Sequence, residues 1–321
     1  LTFTITKKAT VSATTVDLTI SGTFTRLSSG ILELTVTSSS DTVSGPSVGA
    51  KAHALDVPGY VLMLKPVGGQ GGEIIPMVAV GTCPSADFSG AWVMMQDSST
   101  TTDYTTQGLV GSFDYTQSST TGSVGADKYL ADGTTSTGSA QSIGALTCSG
   151  GVGTFPVMNS ASPEMYFTNG GGAIVRVAPS VGQAQSIVMV PAAALTVSDF
   201  AGTYLGLAFD EGDTADGSGG STQPVSVTLD AAGAGTGAVI TDITNNTLST
   251  TMTATVALSQ LTSPVNGVLK MTLNSGSVQN TVCAAAKAIG GTTQNVIFCA
   301  GKSPSGANTK LRSYLLVTKR T

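Results

Sequence analysis

Along most of the chain, apolar and polar residues alternate with a period of two. The pattern is clear in Thr2-Phe-Thr-Ile-Thr6, Val16-Asp-Leu-Thr-Ile20 and Ile31-Leu-Glu-Leu-Thr-Val36. A strand sends successive side chains to opposite faces, so this pattern predicts strands with one buried face. Arg26-Leu-Ser-Ser-Gly30 reads as the turn between the second and third of them. Further on, short apolar runs are punctuated by Gly, Asn, Asp and Ser at the close intervals of sandwiches or barrels, not of parallel α/β units. A hairpin-sized pattern then occurs three times. Residues 59–66 lead through a Gly-rich turn to Ile74–Val80, residues 172–179 lead to Ile187–Val190, and Val296–Cys299 leads to Leu311–Val317. Repetition at roughly a hundred residues describes a string of similar β units.

The fold class expected is therefore all-β, as tandem antiparallel β-barrel or β-sandwich units. Dividing after each hairpin gives an incomplete N-terminal β unit (1–83), a second unit (84–193) and a third (194–321). The low-complexity stretches Ser118–Gly125, Asp132–Gly138 and Glu211–Ser221 are expected to be exposed connections.

Composition sharpens this picture. The chain has 321 residues, enough for two or three domains. Only 10% are charged, yet 40% are hydrophobic and mean hydropathy is +0.25, which excludes a disordered chain despite 48 Thr, 37 Ser and 40 Gly. Thr beside Val and Ile suits a pleated, half-buried surface. A net charge of −5 without a clustered basic footprint argues against a nucleic-acid partner. The cationic residues between Lys287 and Arg320 read as a solvated strand face and edge. No apolar run approaches the roughly 20 residues that span a bilayer, so no transmembrane segment is expected. Leu1 is not a start methionine, so either a leader was removed or the chain is a fragment.

Cys283 and Cys299 lie symmetrically about Gly291, inside Ile289-Gly-Gly-Thr292. A hairpin folded there sets the two opposite one another, at a distance a disulfide can bridge. By elimination Cys83 pairs with Cys148; the alternative is four buried free thiols. Two bridges would indicate an oxidising, extracytoplasmic compartment, secreted or at the cell surface. Neither spacing nor neighbouring His favours zinc.

Two of the hairpins are followed by related segments, Asp87-Phe-Ser-Gly-Ala-Trp92 and Asp199-Phe-Ala-Gly-Thr-Tyr204. These resemble the opening signature of the lipocalin- and avidin-type (calycin) barrels. The resemblance implies a short 3₁₀ turn, passage through Gly into a first strand, and an aromatic plugging the barrel floor. Trp92 and Tyr204 are the matching residues, and Asp87 and Asp199 the candidate caps of the turn. Gly108-Leu-Val-Gly-Ser-Phe113 resembles the avidin-type second strand, with Gly235–Val239 as a looser counterpart. Lipocalins also set an Arg from a late strand against the floor aromatic; Arg176 and Arg312 are the candidates. The first unit lacks this opening, and an incomplete sheet exposes an edge that invites another chain.

Catalytic chemistry finds little support. His53 is the only histidine, no G-x-S-x-G elbow accompanies it, and a strand-face histidine is the simpler reading. Asp210, Asp213 and Asp216 beside glycines are weak Ca²⁺ candidates, but the spacing is not that of an EF-hand and a plain solvated acidic loop is the favoured reading. The tyrosines read as core residues before ligand residues. No cofactor is expected. The function expected is that of a non-enzymatic secreted or cell-surface structural or adhesive protein. It would self-associate or meet a surface partner through sheet edges, with Phe3 and Ile5 or the strand Leu311–Val317 at the contact. The alternative is a binding protein holding a small hydrophobic ligand or glycan in a barrel.

Overall fold

The computed structural model describes residues 2–318 except 12–13, 41–45, 58–60, 67–74, 79–80, 98–102, 156–163, 170, 181–182, 211–220 and 304–310. Every described sheet is antiparallel, and two short 3₁₀ turns are the only helical elements among the described residues.

The first sheet is a six-strand meander of β1 (Thr2–Val11), β2 (Thr14–Arg26), β3 (Leu32–Ser39), β4 (Lys51–Asp56), β5 (Val61–Pro66) and β6 (Ile75–Val78). β1 runs along β2 from the pair Thr2–Thr23 to Val11–Thr14. β2 meets β3 only from Ile20 to Arg26, so the far half of the β1–β2 hairpin extends past the third strand. Leu32, Leu34 and Ala54 bury one face, with Phe3 and Phe24 packed against them.

The second sheet contains β7 (Phe88–Asp97), β8 (Val110–Thr116), β9 (Thr121–Tyr129), β10 (Thr135–Thr137), β11 (Gln141–Ala145), β12 (Thr147–Ser149), β13 (Val152–Thr154), β14 (Glu164–Phe167), β15 (Ala173–Ser180) and β16 (Gln183–Pro191). β10 and β11 both lie on β9, whereas β12 lies on β13. Only Leu146 separates β11 from β12, so one return strand leaves β9 and joins β13. With β16 back on β7, the circuit β7, β8, β9, β11–β12, β13, β14, β15, β16 has eight staves, closed at that point by the chain itself. Two segments expected as loops are thereby partly strand: Ser118–Gly125 runs into β9, and Asp132–Gly138 contains β10.

The third sheet is a closed barrel of β17 (Gly202–Asp210), β18 (Ser221–Leu229), β19 (Ala234–Asp242), β20 (Thr247–Ser259), β21 (Val268–Asn274), β22 (Val278–Ala286), β23 (Val296–Lys302) and β24 (Leu311–Thr318). Each strand neighbours the next in sequence, and β24 returns to β17. The strand expected as an assembly edge, Leu311–Val317, is therefore paired on both sides, with β23 and β17, and presents no free edge. Gly235–Val239 forms the third strand, not the second; Pro224 falls within the true second strand and obscures it in the sequence.

In β17, Tyr204 and Ala208 point into the barrel, while Leu205, Leu207 and Phe209 point out. The outward face is buried by both other units: β17 lies beside β4 of the first sheet, where Leu205 meets the β2–β3 turn, and β22, β23 and β24 lie beside β7. Val93, Val110 and Val188 from one side join Phe298, Leu315 and Val317 from the other in one apolar cluster, which also takes in Ile31 and Leu55 of the first sheet. The connection between barrels is pinned as well: Ala192 N–H donates to Ser89 O (2.9 Å) and Gly267 N–H to Ala193 O (2.8 Å).

Candidate functional site

The closed barrel is sealed at one end by its opening motif. The turn Val197–Phe200 is 3₁₀, as the resemblance implied. The Asp199 carboxylate accepts from Thr196 N–H (2.7 Å) and pairs with Lys287 Nζ (3.1 Å), which together hold its carboxyl below the usual range. Tyr204 is fully buried, and its hydroxyl donates to Phe200 O (2.9 Å). Burial raises the Tyr204 pKa, so the phenol stays neutral. Asn295 Nδ2 ties the same turn to the end of β22–β23 through Asp199 O (2.8 Å).

The middle of the barrel is filled. Val227, Val256, Leu269, Met271, Ile297 and Leu316 meet there, and the Cys283–Cys299 disulfide joins the neighbouring strands β22 and β23 on the same inner face. At the end away from Phe200, five polar side chains close the interior. Arg312 pairs with Asp210 and donates to Gln279 Oε1 (2.6 Å). Tyr314 OH donates to the same amide oxygen (3.0 Å), and Ser303 Oγ donates to Asp210 Oδ1 (2.7 Å). Burial raises the Tyr314 pKa, partly offset by the Arg312 guanidinium. A carboxylate held by a guanidinium and a hydroxyl is a structural plug; it is occupied by its own partners and poorly placed to act as a base.

This arrangement corrects several expectations. Asp210 faces into the barrel and pairs with Arg312, so it is not a free loop ligand; Asp213 and Asp216 lie outside the described residues. Arg312 is not a solvated strand residue, and it sits at the opposite end of β17 from Tyr204, because Asp210 is its register partner while Tyr204 pairs with Thr318. Arg176 pairs with Glu164 across β14–β15 (3.7 Å). Among the described residues, the ion-pair partner of each arginine is a carboxylate. Gln279 and Tyr314 were not singled out in the sequence; the period of two places Tyr314 on the same face as Arg312, which is the signal that would have found it.

Trp92 lies in the equivalent register of the second unit and joins its interior with Phe88, Phe113 and Met189, but it is half-buried where Tyr204 is fully buried. Its indole lies over Gly111, where an added Cβ would come within 2.6 Å of the ring, and its Nε1 is buried without a hydrogen-bond partner among the described residues. Asp87 does not cap its own turn; its carboxylate accepts from Gln117 N–H (2.7 Å) beyond β8. Cys83 and Cys148 are bridged, tying the segment before β7 to β12. His53 faces Glu33 in register (3.8 Å), and Lys51 bonds the same carboxylate (2.7 Å), so the histidine sits beside a Lys–Glu ion pair on the first sheet. Tyr104, Tyr115 and Tyr129 are core residues, and Tyr60 lies outside the described residues. Phe3 packs partly on its own sheet, and Ile5 pairs with Ile20.

The outer face of the closed barrel is different in kind. A cross-strand row runs Thr203, Thr228, Thr236, Thr255 over β17–β20. An open groove of about 540 Å³ beside it is lined by Ser226, Thr228, Thr236, Thr253 and Leu248, with no charged residue. A second crevice of about 370 Å³ lies where the β2–β3 turn meets the barrel, between Arg26, Asp56, Leu205 and Val317. Among the described residues, no cluster of three or more metal-ligating side chains occurs and no helix is long and apolar enough to cross a membrane.

No protein-family model matches the chain, and no curated protein sequence matches it. Solved structures overlap it loosely. A singly substituted transferrin-binding protein B from Haemophilus parasuis Hp5 shares 8% identity at TM-score 0.32, over 98% of this chain and 63% of that one. The double mutant of the same protein gives 8% and 0.33 over the same shares. Isotype 1 transferrin-binding protein B from serogroup B Neisseria meningitidis gives 10% and 0.30, over 96% and 59%. The chain thus spans less than two thirds of the length of these proteins, and overlaps of this quality carry no functional argument.

Proposed function

We propose that this chain is a non-enzymatic extracytoplasmic scaffold that works through its exterior, adhering to a partner surface or to further copies of itself. One observation carries the reading: the closed barrel is filled by its own side chains, the Cys283–Cys299 disulfide of its inner wall among them, and plugged by Arg312 and Asp210. Ligand-holding barrels keep a cavity of several hundred Å³; here that volume is taken. Two disulfides suit an oxidising compartment. Where the outer face of the barrel is left uncovered by the other units, over β18–β20, it is hydroxyl-rich, unlike the apolar belt of a membrane-spanning barrel.

Native mass spectrometry of the purified chain, with organic extraction of the same sample, tests this. The expected result is the bare chain, alone or in multiples of 32.0 kDa. A small molecule recovered at one equivalent per chain would sink the scaffold reading and restore the enclosed-ligand one.

A further inference from the structure

The closed barrel has no edge, and among the described residues the second sheet leaves open only one side each of β10, β11 and β12, which are three, five and three residues long and too short to serve as templates. β6 has four residues and lies beside β15. β20 is unaccompanied by β21 from Thr247 to Ala254, but that stretch bulges: its pairing with β19 jumps from Leu248 to Thr253, and Ser249 Oγ takes the N–H groups of Thr251 (3.2 Å) and Met252 (2.9 Å). A bulge of this kind spoils an edge as a template. β1 is left. It pairs only with β2, and its ten residues form the longest strand with one whole side unpaired among the described residues.

We infer that β1 is an isologous contact: two copies of this chain join β1 to β1 in antiparallel fashion, extending the six-strand sheet across a two-fold axis. The inference rests on the self-association part of the proposed function and names its surface. The register follows from charge. Thr2–Thr6 carries no charge, whereas Lys7 and Lys8 follow at once. With Thr4 on the axis, Phe3 stands opposite Ile5 of the second copy, Thr2 opposite Thr6, and both lysines fall outside the paired stretch. Shifting the axis to Lys7 would oppose like charges, which destabilises a cross-strand pair. A two-fold contact uses one patch twice and closes, so the product is a dimer and not a fibre.

Thr4 is exposed in the single chain, so replacing it leaves the fold intact. The test is sedimentation equilibrium on the full chain, on Thr4→Lys, on Thr4→Glu and on an equimolar mixture of the two variants. The expected result is a dimer for the parent chain, at least tenfold weaker association for either variant alone, and recovery in the mixture, with Thr4→Cys forming an interchain disulfide under mild oxidation. A parent dimer that neither variant weakens would overturn the β1 contact while leaving self-association standing. A parent chain that stays monomeric at several hundred micromolar would overturn both the contact and self-association, leaving adhesion to a different partner.

Discussion

Ser313 Oγ donates to the carbonyl of Met95 at 3.0 Å, and both groups are buried between the two barrels. Met95 is the residue skipped where the β7–β16 register shifts, so its carbonyl is released from the ladder. Ser313 lies on the outward face of β24 and takes it up. A polar bond inside an apolar interface fixes the register of one barrel on the other, because sliding would strand a buried acceptor.

Removing that donor has a defined cost. Ser313→Ala is expected to lower stability by about 1–3 kcal/mol, the penalty for an unsatisfied buried carbonyl. Because the second and third units share one apolar cluster, urea unfolding followed by Trp92 fluorescence and by far-UV dichroism is expected to give coincident transitions, shifted together by the substitution. Separate midpoints for the two probes would contradict a shared core.

The barrel plug makes a second prediction. Arg312→Met leaves the Asp210 carboxylate 10% exposed beside an apolar side chain. Breaking a fully buried pair costs about 3–5 kcal/mol, and the partial exposure of Arg312 lowers the expected loss to about 2. The double variant Arg312→Met with Asp210→Asn is expected to be closer to the parent than the sum of the single changes, as measured in a thermodynamic cycle. Additivity within error would mean the two side chains do not act as a pair.

Asp199 gives a pH-dependent prediction. Its pKa in the folded chain is lowered, first by Thr196 and then by Lys287. The stabilisation is therefore complete above the unfolded carboxyl value of about 4 and disappears as pH falls through the folded value. Asp199→Ala is expected to cost about 1 kcal/mol at neutral pH, typical of a lost cap, and almost nothing near pH 2. A difference in Tm that stays constant across this range would rule out the charged cap.

The two disulfides should respond differently to reductant. Cys283 and Cys299 are fully buried, whereas Cys83 and Cys148 are half-buried. Under native conditions, graded dithiothreitol with alkylation and peptide mapping is expected to label Cys83 and Cys148 first. Loss of that bridge, which spans 65 residues, is expected to cost about 4 kcal/mol. Early labelling of Cys299 would mean the closed barrel opens more readily than its packing implies.

Much of this architecture was legible in the sequence, for local reasons. The three hairpins, the 3₁₀ turn before Gly202 and the Cys283–Cys299 pairing all rest on short-range geometry that spacing encodes. The inward turn of Asp210 was not read, although Tyr204 and Asp210 are six residues apart on one strand and so share a face. The acidic company of Asp213 and Asp216 drew it into a loop interpretation. β18 was hidden by Pro224, and β9 by a run of Ser, Thr and Gly that ordinarily marks a connection. The joint apolar cluster depends on long-range packing: Leu205, Leu207 and Phe209 make β17 apolar on both sides, and nothing local says what covers the outer one.

The junction at Leu146 gives the second unit a mechanical character its neighbour lacks. In the third barrel, sideways load is shared around the whole circumference by ladders of hydrogen bonds. Between β11 and β12 that load passes along the backbone of one residue, steadied by Leu146 N–H to Thr120 O (2.7 Å). Hydrolysis of a single peptide bond there would turn a hoop into an open strip with two new margins. The Cys83–Cys148 bridge is anchored two residues away, on β12 itself. It acts as a rivet beside the weakest link, so that a nicked second unit keeps its loose end fastened to the body of the protein.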